Sequence, residues 1–340
     1  MKKQLLLISL LLMCILLSGP VIGQDSGKEM SFIRVQGNQF IEEETGDSII
    51  FRGLDFSDPD KLEKDGHWNK AYFEKAKEWG ANIVRFAVHP RAWRERGREN
   101  YLKLLDQGIQ WAEELKLYVI IDWHSIGNLR NELFQDPMYI TSKRETMKFW
   151  QTIAERYQNN PTVAFYEVFN EPTLYNGQLG RMTWPQWKEI LKDIITVIYA
   201  YDRNVIPLVA GFNWAYDLTP LHNDPLEMEG IAYVTHPYPQ KSPQPWIPNW
   251  ETYFGFAADQ YPVMATELGF MSEDEPGAHI PVLGDEEYGR KIIDYFEQKG
   301  ISWTVWCFDP HWSPQLIKNW DFEPTPQGEF FKKEMQKLNQ

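Results

Sequence analysis

Residues 163–173, VAFYEVFNEPT, run as an apolar strand and then stop on Asn170, Glu171 and Pro172. Asn and Pro are ordinary turn formers, so a plain surface turn is one reading. The other is that the strand carries a carboxylic acid out of a hydrophobic core into a pocket. Similar β-rich apolar runs occur at 48–54, 82–88, 117–123, 205–210, 231–235, 262–266 and 301–307, making eight with the first. Most gaps between them have helical periodicity. Segment 101–116 sets Leu104, Leu105, Gly108, Ile109, Ala112 and Leu115 on one face. Segment 185–201 enters through Thr183 and Pro185, and 284–300 begins acidic and ends on Lys299-Gly300. Segment 211–230 is the weakest helix and reads mostly as loop. Ahead of this series, 32–53 reads as two strands around a turn at Thr45-Gly46-Asp47. The expected fold is α/β: a (β/α)8 TIM barrel with an N-terminal β-hairpin, one domain over 24–340. A doubly wound sheet is disfavoured because no Gly-rich phosphate fingerprint follows the first strand.

Residues 1–23 have the form of a signal peptide: Lys2 and Lys3, an apolar run, then Pro20 and small residues to Gly23. The run from Leu5 to Leu17 is 13 residues, short of the ~20 a membrane-spanning helix needs. Cys14 makes a poor lipidation site after bulky Met13. A secreted or periplasmic location is expected, without membrane attachment once the signal is removed. Two of the 34 basic residues and none of the 48 acidic ones lie in 1–23, so the remainder carries −16. That charge disfavours nucleic acid and anionic membrane as partners. Cys307 is the one cysteine beyond the signal. It reads as a small buried hydrophobe, with no base to activate it, and the large core rather than a disulfide must hold the fold. A monomer is expected.

In a (β/α)8 barrel, chemistry belongs at the C-terminal ends of the strands. Arg85 lies in the second run with His89 just beyond it, the third ends Asp122-Trp123-His124, and the fourth delivers Asn170-Glu171. The sixth ends His236-Pro237-Tyr238, the seventh Glu267, and the eighth holds Trp306 followed by Asp309. Six strand ends thus converge on one mouth. Glu171 and Glu267, from strands on opposite parts of the ring, can flank a single bond, as hydrolysis of a glycosidic linkage requires.

The ordered set FNEP (169–172), ATELGF (265–270), DWH (122–124), THPY (235–238) and WTVWCF (303–308) resembles glycoside hydrolase family 5, the cellulase-type barrel enzymes. The likeness runs over essentially the whole chain from FRG (51–53) onward, although 124–137 departs from the commonest loops of that family. It implies retaining double displacement, with Glu171 as general acid/base and Glu267 as nucleophile. It also implies that Asn170 bonds the sugar 2-hydroxyl, Arg85 keeps Glu267 ionised and Tyr238 restrains the same carboxylate. His124 and His236 would hold hydroxyls and the acid/base geometry, and Trp306 would form the floor under the sugar. His89 would lie on the glycone side.

Tryptophan and tyrosine make up 31 residues, and aromatic rings stack on the flat faces of sugars. Trp214, Trp246 and Trp312 follow the fifth, sixth and eighth strands and are the expected platforms, whereas Trp187 falls on a helix and packs. A row of platforms suits endo cleavage of a chain, and the acidic charge suits a neutral polymer. A β-1,4-glucan is the expected substrate, ahead of mannan, xyloglucan or mixed-linkage glucan. A carbohydrate-binding barrel without activity is the competing class, disfavoured because both acids are present. No cofactor and no metal are expected: Asp55, Asp58 and Asp60 lack calcium-loop spacing and read as a solvated loop, and no zinc motif occurs.

Overall fold

The computed structural model describes residues 30–173 and 176–339. The expected signal segment lies outside them. Among the described residues no helix is long and apolar enough to cross a membrane.

Eight parallel strands close into a barrel: β1 (Arg52–Phe56), β2 (Ile83–Val88), β3 (Tyr118–Trp123), β4 (Val163–Glu167), β5 (Ile206–Ala210), β6 (Ala232–Thr235), β7 (Val263–Ala265) and β8 (Ser302–Val305). They neighbour one another in chain order, and β8 pairs with β1. Such strands are covered on both faces, which explains why they read as apolar runs instead of alternating patterns. The helices behave as their sequences predict. Arg98–Glu114 buries Leu104, Leu105, Gly108, Ile109 and Ala112. Trp184–Tyr201 starts with a capping box between Thr183 and Gln186, and Trp187 packs under β5. Glu286–Lys299 is capped by Asp285 and stops at Gly300, which sits in the left-handed region. The fifth crossover is a loop with short turns, as expected.

The N-terminal segment is richer than a hairpin. Ile33–Gln36, Gln39–Glu42 and Ser48–Ile49 form a three-stranded antiparallel sheet. The run read as a first barrel strand over 48–54 is therefore split: its start belongs to this sheet, and β1 continues to Phe56. The sheet plugs the N-terminal end of the barrel, where Phe40, Phe51, Tyr118 and Phe165 meet edge to face at 5.1–5.8 Å.

Extending β1 brings Asp55 into the barrel beside Arg85 of β2. The solvated reading of 55–60 is wrong, because Asp55, Asp58 and Asp60 are all buried. Asp58 caps the helix Pro59–Lys64 and accepts from the His89 amide and the Tyr101 hydroxyl. Asp60 pairs with Lys64 and Arg96. Their side chains are thus committed to holding the first loop down.

Candidate active site

Above the apolar plug, the inward positions of four consecutive strands are charged: Asp55 on β1, Arg85 on β2, Asp122 on β3 and Glu167 on β4, all without solvent exposure. Arg85 organises this layer. Its Nε donates to Glu167 Oε2 at 2.6 Å, Nη1 to Glu267 Oε1 at 3.1 Å, and Nη2 to Asn170 Oδ1 at 2.6 Å. Asp122 Oδ2 lies 3.0 Å from Nη2. One guanidinium therefore spans the acids, its five donors matching their fork geometry. Burial pushes Asp55 and Asp122 well above the usual carboxylate range despite the pull of Arg85. Burial also works to raise Glu167, but Arg85 and His236 outweigh it and leave that carboxyl below its ordinary value. Glu167 is thus the ionised counter-charge of Arg85.

The chain past β4 does not form a plain turn. Glu171 and Pro172 pair in parallel with Ile126 and Gly127 of the loop after β3, and the Glu171 amide donates to Ser125 O at 3.1 Å. This unusual loop, 124–137, fixes the backbone of the acid. The Glu171 side chain meets His236 Nδ1 at 2.9 Å, and His236 Nε2 lies 3.0 Å from Thr266 Oγ1, which donates to Glu167. Burial opposes charge on His236, but the charges and hydrogen bonds of Glu267, Glu167 and Glu171 prevail and push it up to about 9. This imidazolium bridges the buried layer and the mouth.

Glu267 leaves β7 and is held from two sides, by Arg85 and by the Tyr238 hydroxyl at 3.0 Å. Burial is the largest influence and raises it. His236 and Arg85 pull it down, Glu171 and Glu167 push it up, and it ends above the ordinary glutamate value. Arg85 therefore moderates Glu267 without dictating its ionisation. One oxygen each of Glu171 and Glu267 and a nitrogen of His236 all lie within 4.8 Å of one another. Among the described residues, these three side chains are the group whose donor atoms come close enough to share a metal ion.

A cavity of about 520 Å³ opens over the pair. His124, Glu171, Trp214, Tyr238, Glu267 and Trp306 line it, together with Gln135, Tyr139 and Lys241, which no sequence motif marks. His124 contacts Asp122 Oδ2 at 2.6 Å and lies parallel to Trp306 at 5.2 Å. Burial, with the neighbouring charges, keeps its imidazole neutral. Trp312 continues this aromatic wall, 5.8 Å from Trp306, and His89 lies between Trp312 and His124 at 5.1 and 4.6 Å. Arg85, Asn170 and His236 are fully buried and are not among the residues lining this cavity. Trp246 is not part of the mouth. It is buried against Trp250 and Tyr288 and donates to Pro239 O, because the residues after β6 fold into the helix Trp246–Tyr253, which turns this ring inward.

The titration of His236 has a consequence for stability. Its pKa in the fold exceeds the ordinary 6.5, so its contribution is full below that value and disappears as pH rises through about 9. The shift corresponds to roughly 3 kcal/mol. Urea denaturation at pH 6 and pH 10 is expected to show this loss in the wild type and to show it much reduced in His236→Gln. Equal alkaline losses in both would refute the assignment.

The family model for Cellulase (glycosyl hydrolase family 5) matches residues 43–311. Among solved structures, the β-glucanase SdGluc5_26A of Saccharophagus degradans, in complex with cellotetraose, is 49% identical with a TM-score of 0.90, covering 92% of this chain and 95% of that one. Endoglucanase A of Butyrivibrio fibrisolvens is 28% identical over 67% of this chain, and an endoglucanase of Clostridium saccharobutylicum is 29% identical over 68%. The chain spans 49% and 47% of the length of these two endoglucanases.

Proposed function

Since the chain belongs to the cellulase family, glycosyl hydrolase family 5, we propose that it is an exported endo-β-1,4-glucanase that cleaves with retention of configuration. The observation that carries this reading is the closeness of the Glu171 and Glu267 carboxylates at the floor of an open aromatic cleft. A separation of about 5–5.5 Å suits direct attack on the sugar, whereas inversion needs about 6.5–9.5 Å to admit a water. Glu267, aligned by Arg85 and Tyr238, attacks the anomeric carbon while Glu171 protonates the departing oxygen. Glu171 then takes a proton from the water that releases the glycosyl-enzyme. The 2.9 Å contact with His236 Nδ1 orients the Glu171 carboxyl. Asn170, with Oδ1 fixed by Arg85 and Nδ2 without a partner among the described residues, offers Nδ2 to the 2-hydroxyl of the reacting sugar. Trp306 supports that sugar, while Trp312 and Trp214 extend the platform on either side. His89 acts through its packing on His124 and Trp312. The cellotetraose bound to the S. degradans enzyme favours glucan over mannan.

Reducing-sugar release on barley β-glucan, soluble cellulose, xyloglucan and mannan tests the reading. Release from the β-1,4-linked glucans by wild type, absent in Glu267→Ala, is expected; release from mannan alone would overturn the substrate. Glu171→Ala separates the roles of the two acids. On polymer it is expected to lose about 10²–10⁴-fold, the usual worth of a general acid. On an aryl glycoside whose leaving group needs no proton, the bond-breaking step is expected to survive. A uniform loss on both substrates would reject Glu171 as the acid.

A further inference from the structure

One wall of the cleft is built on a backbone that L-residues rarely adopt. Asn213, Trp214 and Ala215, just past β5, have φ of 57°, 52° and 58°. Three consecutive non-glycine residues in the left-handed region cost roughly 1–2 kcal/mol each, so the turn depends on its partners. Lys241, beyond β6, supplies two. Its Nζ donates to Asn213 O at 2.9 Å and Trp214 O at 3.3 Å, and lies 5.2 Å from the Trp214 ring centroid. Gln135 Oε1 accepts from Trp214 Nε1 at 2.8 Å, fixing the indole from the loop after β3. The turn is also joined to the acid: Ala215 O accepts from the His236 amide at 3.1 Å, and the His236 ring holds Glu171.

On the hydrolase reading above, we propose that Lys241 is a positioning residue that clamps the 213–215 turn and presents the Trp214 ring to the departing sugar. The side of the cleft follows from the chemistry. Glu171 stands against the leaving oxygen, and the turn packs on the Glu171–Pro172 segment. An ammonium carries three protons; two serve these carbonyls, and the third is left for a hydroxyl of the substrate. Lys241, Trp214 and Gln135 all face the cavity that holds the two acids. Burial lowers Lys241 to about 8 against the attraction of Glu171 and Glu267. The other titratable side chains on that cavity are His124, Tyr139, Tyr238 and His279. Below about pH 8 the clamp is charged; above it the neutral amine keeps two N–H donors but loses its cationic hold on the Trp214 ring, so the clamp loosens.

Two substrates separate a clamp on the leaving sugar from an effect on the reacting pair: cellopentaose, and an aryl β-cellobioside whose leaving group is not a sugar. Lys241→Met is expected to lower kcat/KM on cellopentaose about tenfold, mainly through KM, the size of one lost stacking contact. It should leave the aryl substrate within about twofold, and Lys241→Arg should restore part of the loss. Equal loss on both substrates, or loss on neither, overturns the proposal. A measurement without substrate keeps the clamp independent of the assigned activity. The fluorescence of Trp214, taken as wild type minus Trp214→Phe, is expected to titrate near pH 8 and to lose that transition in Lys241→Met. A transition that persists in Lys241→Met refutes the clamp, whatever the enzyme hydrolyses.

Discussion

Glu267→Ala is expected to fold as well as the wild type and to lose at least about 10⁴-fold in turnover on β-glucan, the order seen when a nucleophile is removed. Both halves of that expectation come from the same surroundings. Glu267 is buried beside Glu171 and Glu167, and those influences raise its pKa; deleting it relieves repulsion in the native state. Arg85 keeps Glu167 and Asn170 as partners, so its charge is not orphaned. Tyr238 loses its acceptor, a cost of about 1–3 kcal/mol, and His236 loses the charge that most raises its pKa; both offset the relief. Thermal unfolding should therefore shift little. Azide should enter the space vacated by the carboxylate and restore part of the rate on an activated aryl glycoside, giving a product of inverted configuration. A variant that is folded and still hydrolyses glucan at a tenth of the wild-type rate would exclude Glu267 as the nucleophile.

Arg85→Met is expected to produce the largest loss of stability, about 3–5 kcal/mol, the usual cost of breaking a buried ion pair from one side. The fully buried guanidinium holds Glu167, Asp122 and Glu267 together. Asp55 and Asp122 are already pushed toward their neutral forms, so Glu167 bears most of the damage. Its folded pKa is depressed. The associated stability is therefore present above the ordinary glutamate value and disappears as pH falls through the lower folded one. Urea unfolding should accordingly show the gap between wild type and Arg85→Met narrowing as pH drops toward 4, and Glu167→Gln added to Arg85→Met should recover part of the loss. Lysine is a poor substitute, since a single ammonium cannot span the fork. A gap that stays constant with pH would remove Glu167 from the account.

The barrel was legible because strands covered on both faces are apolar throughout, and because caps such as Thr183 and Asp285 announce their helices. The mouth was legible for a related reason: Glu171, His236, Tyr238 and Glu267 stand where apolar runs break off. Residues inside those runs were harder to interpret. Asp122 and Glu167 each occupy an inward position of a strand, and a single acid in an apolar run carries no sign that Arg85 will meet it. Asp55 reads as solvent-facing because an Asp-rich stretch resembles an exposed loop. Trp246 shows the opposite error, since a tryptophan after a barrel strand looks the same whether its loop opens toward the substrate or folds back as a helix. The 213–215 turn lacks the glycine that would mark it, so no sequence pattern points to Lys241.

The small sheet at the far end of the barrel bears on how the enzyme can be handled. Its turns at 36–39 and 43–48 are exposed, while its inner face seals the pole opposite the catalytic mouth. Attachment chemistry confined to those turns would orient an immobilised layer with every cleft facing away from the support. A carrier grafted there would leave the mouth of the barrel uncovered, whereas random coupling through surface lysines would fix the molecule in many orientations.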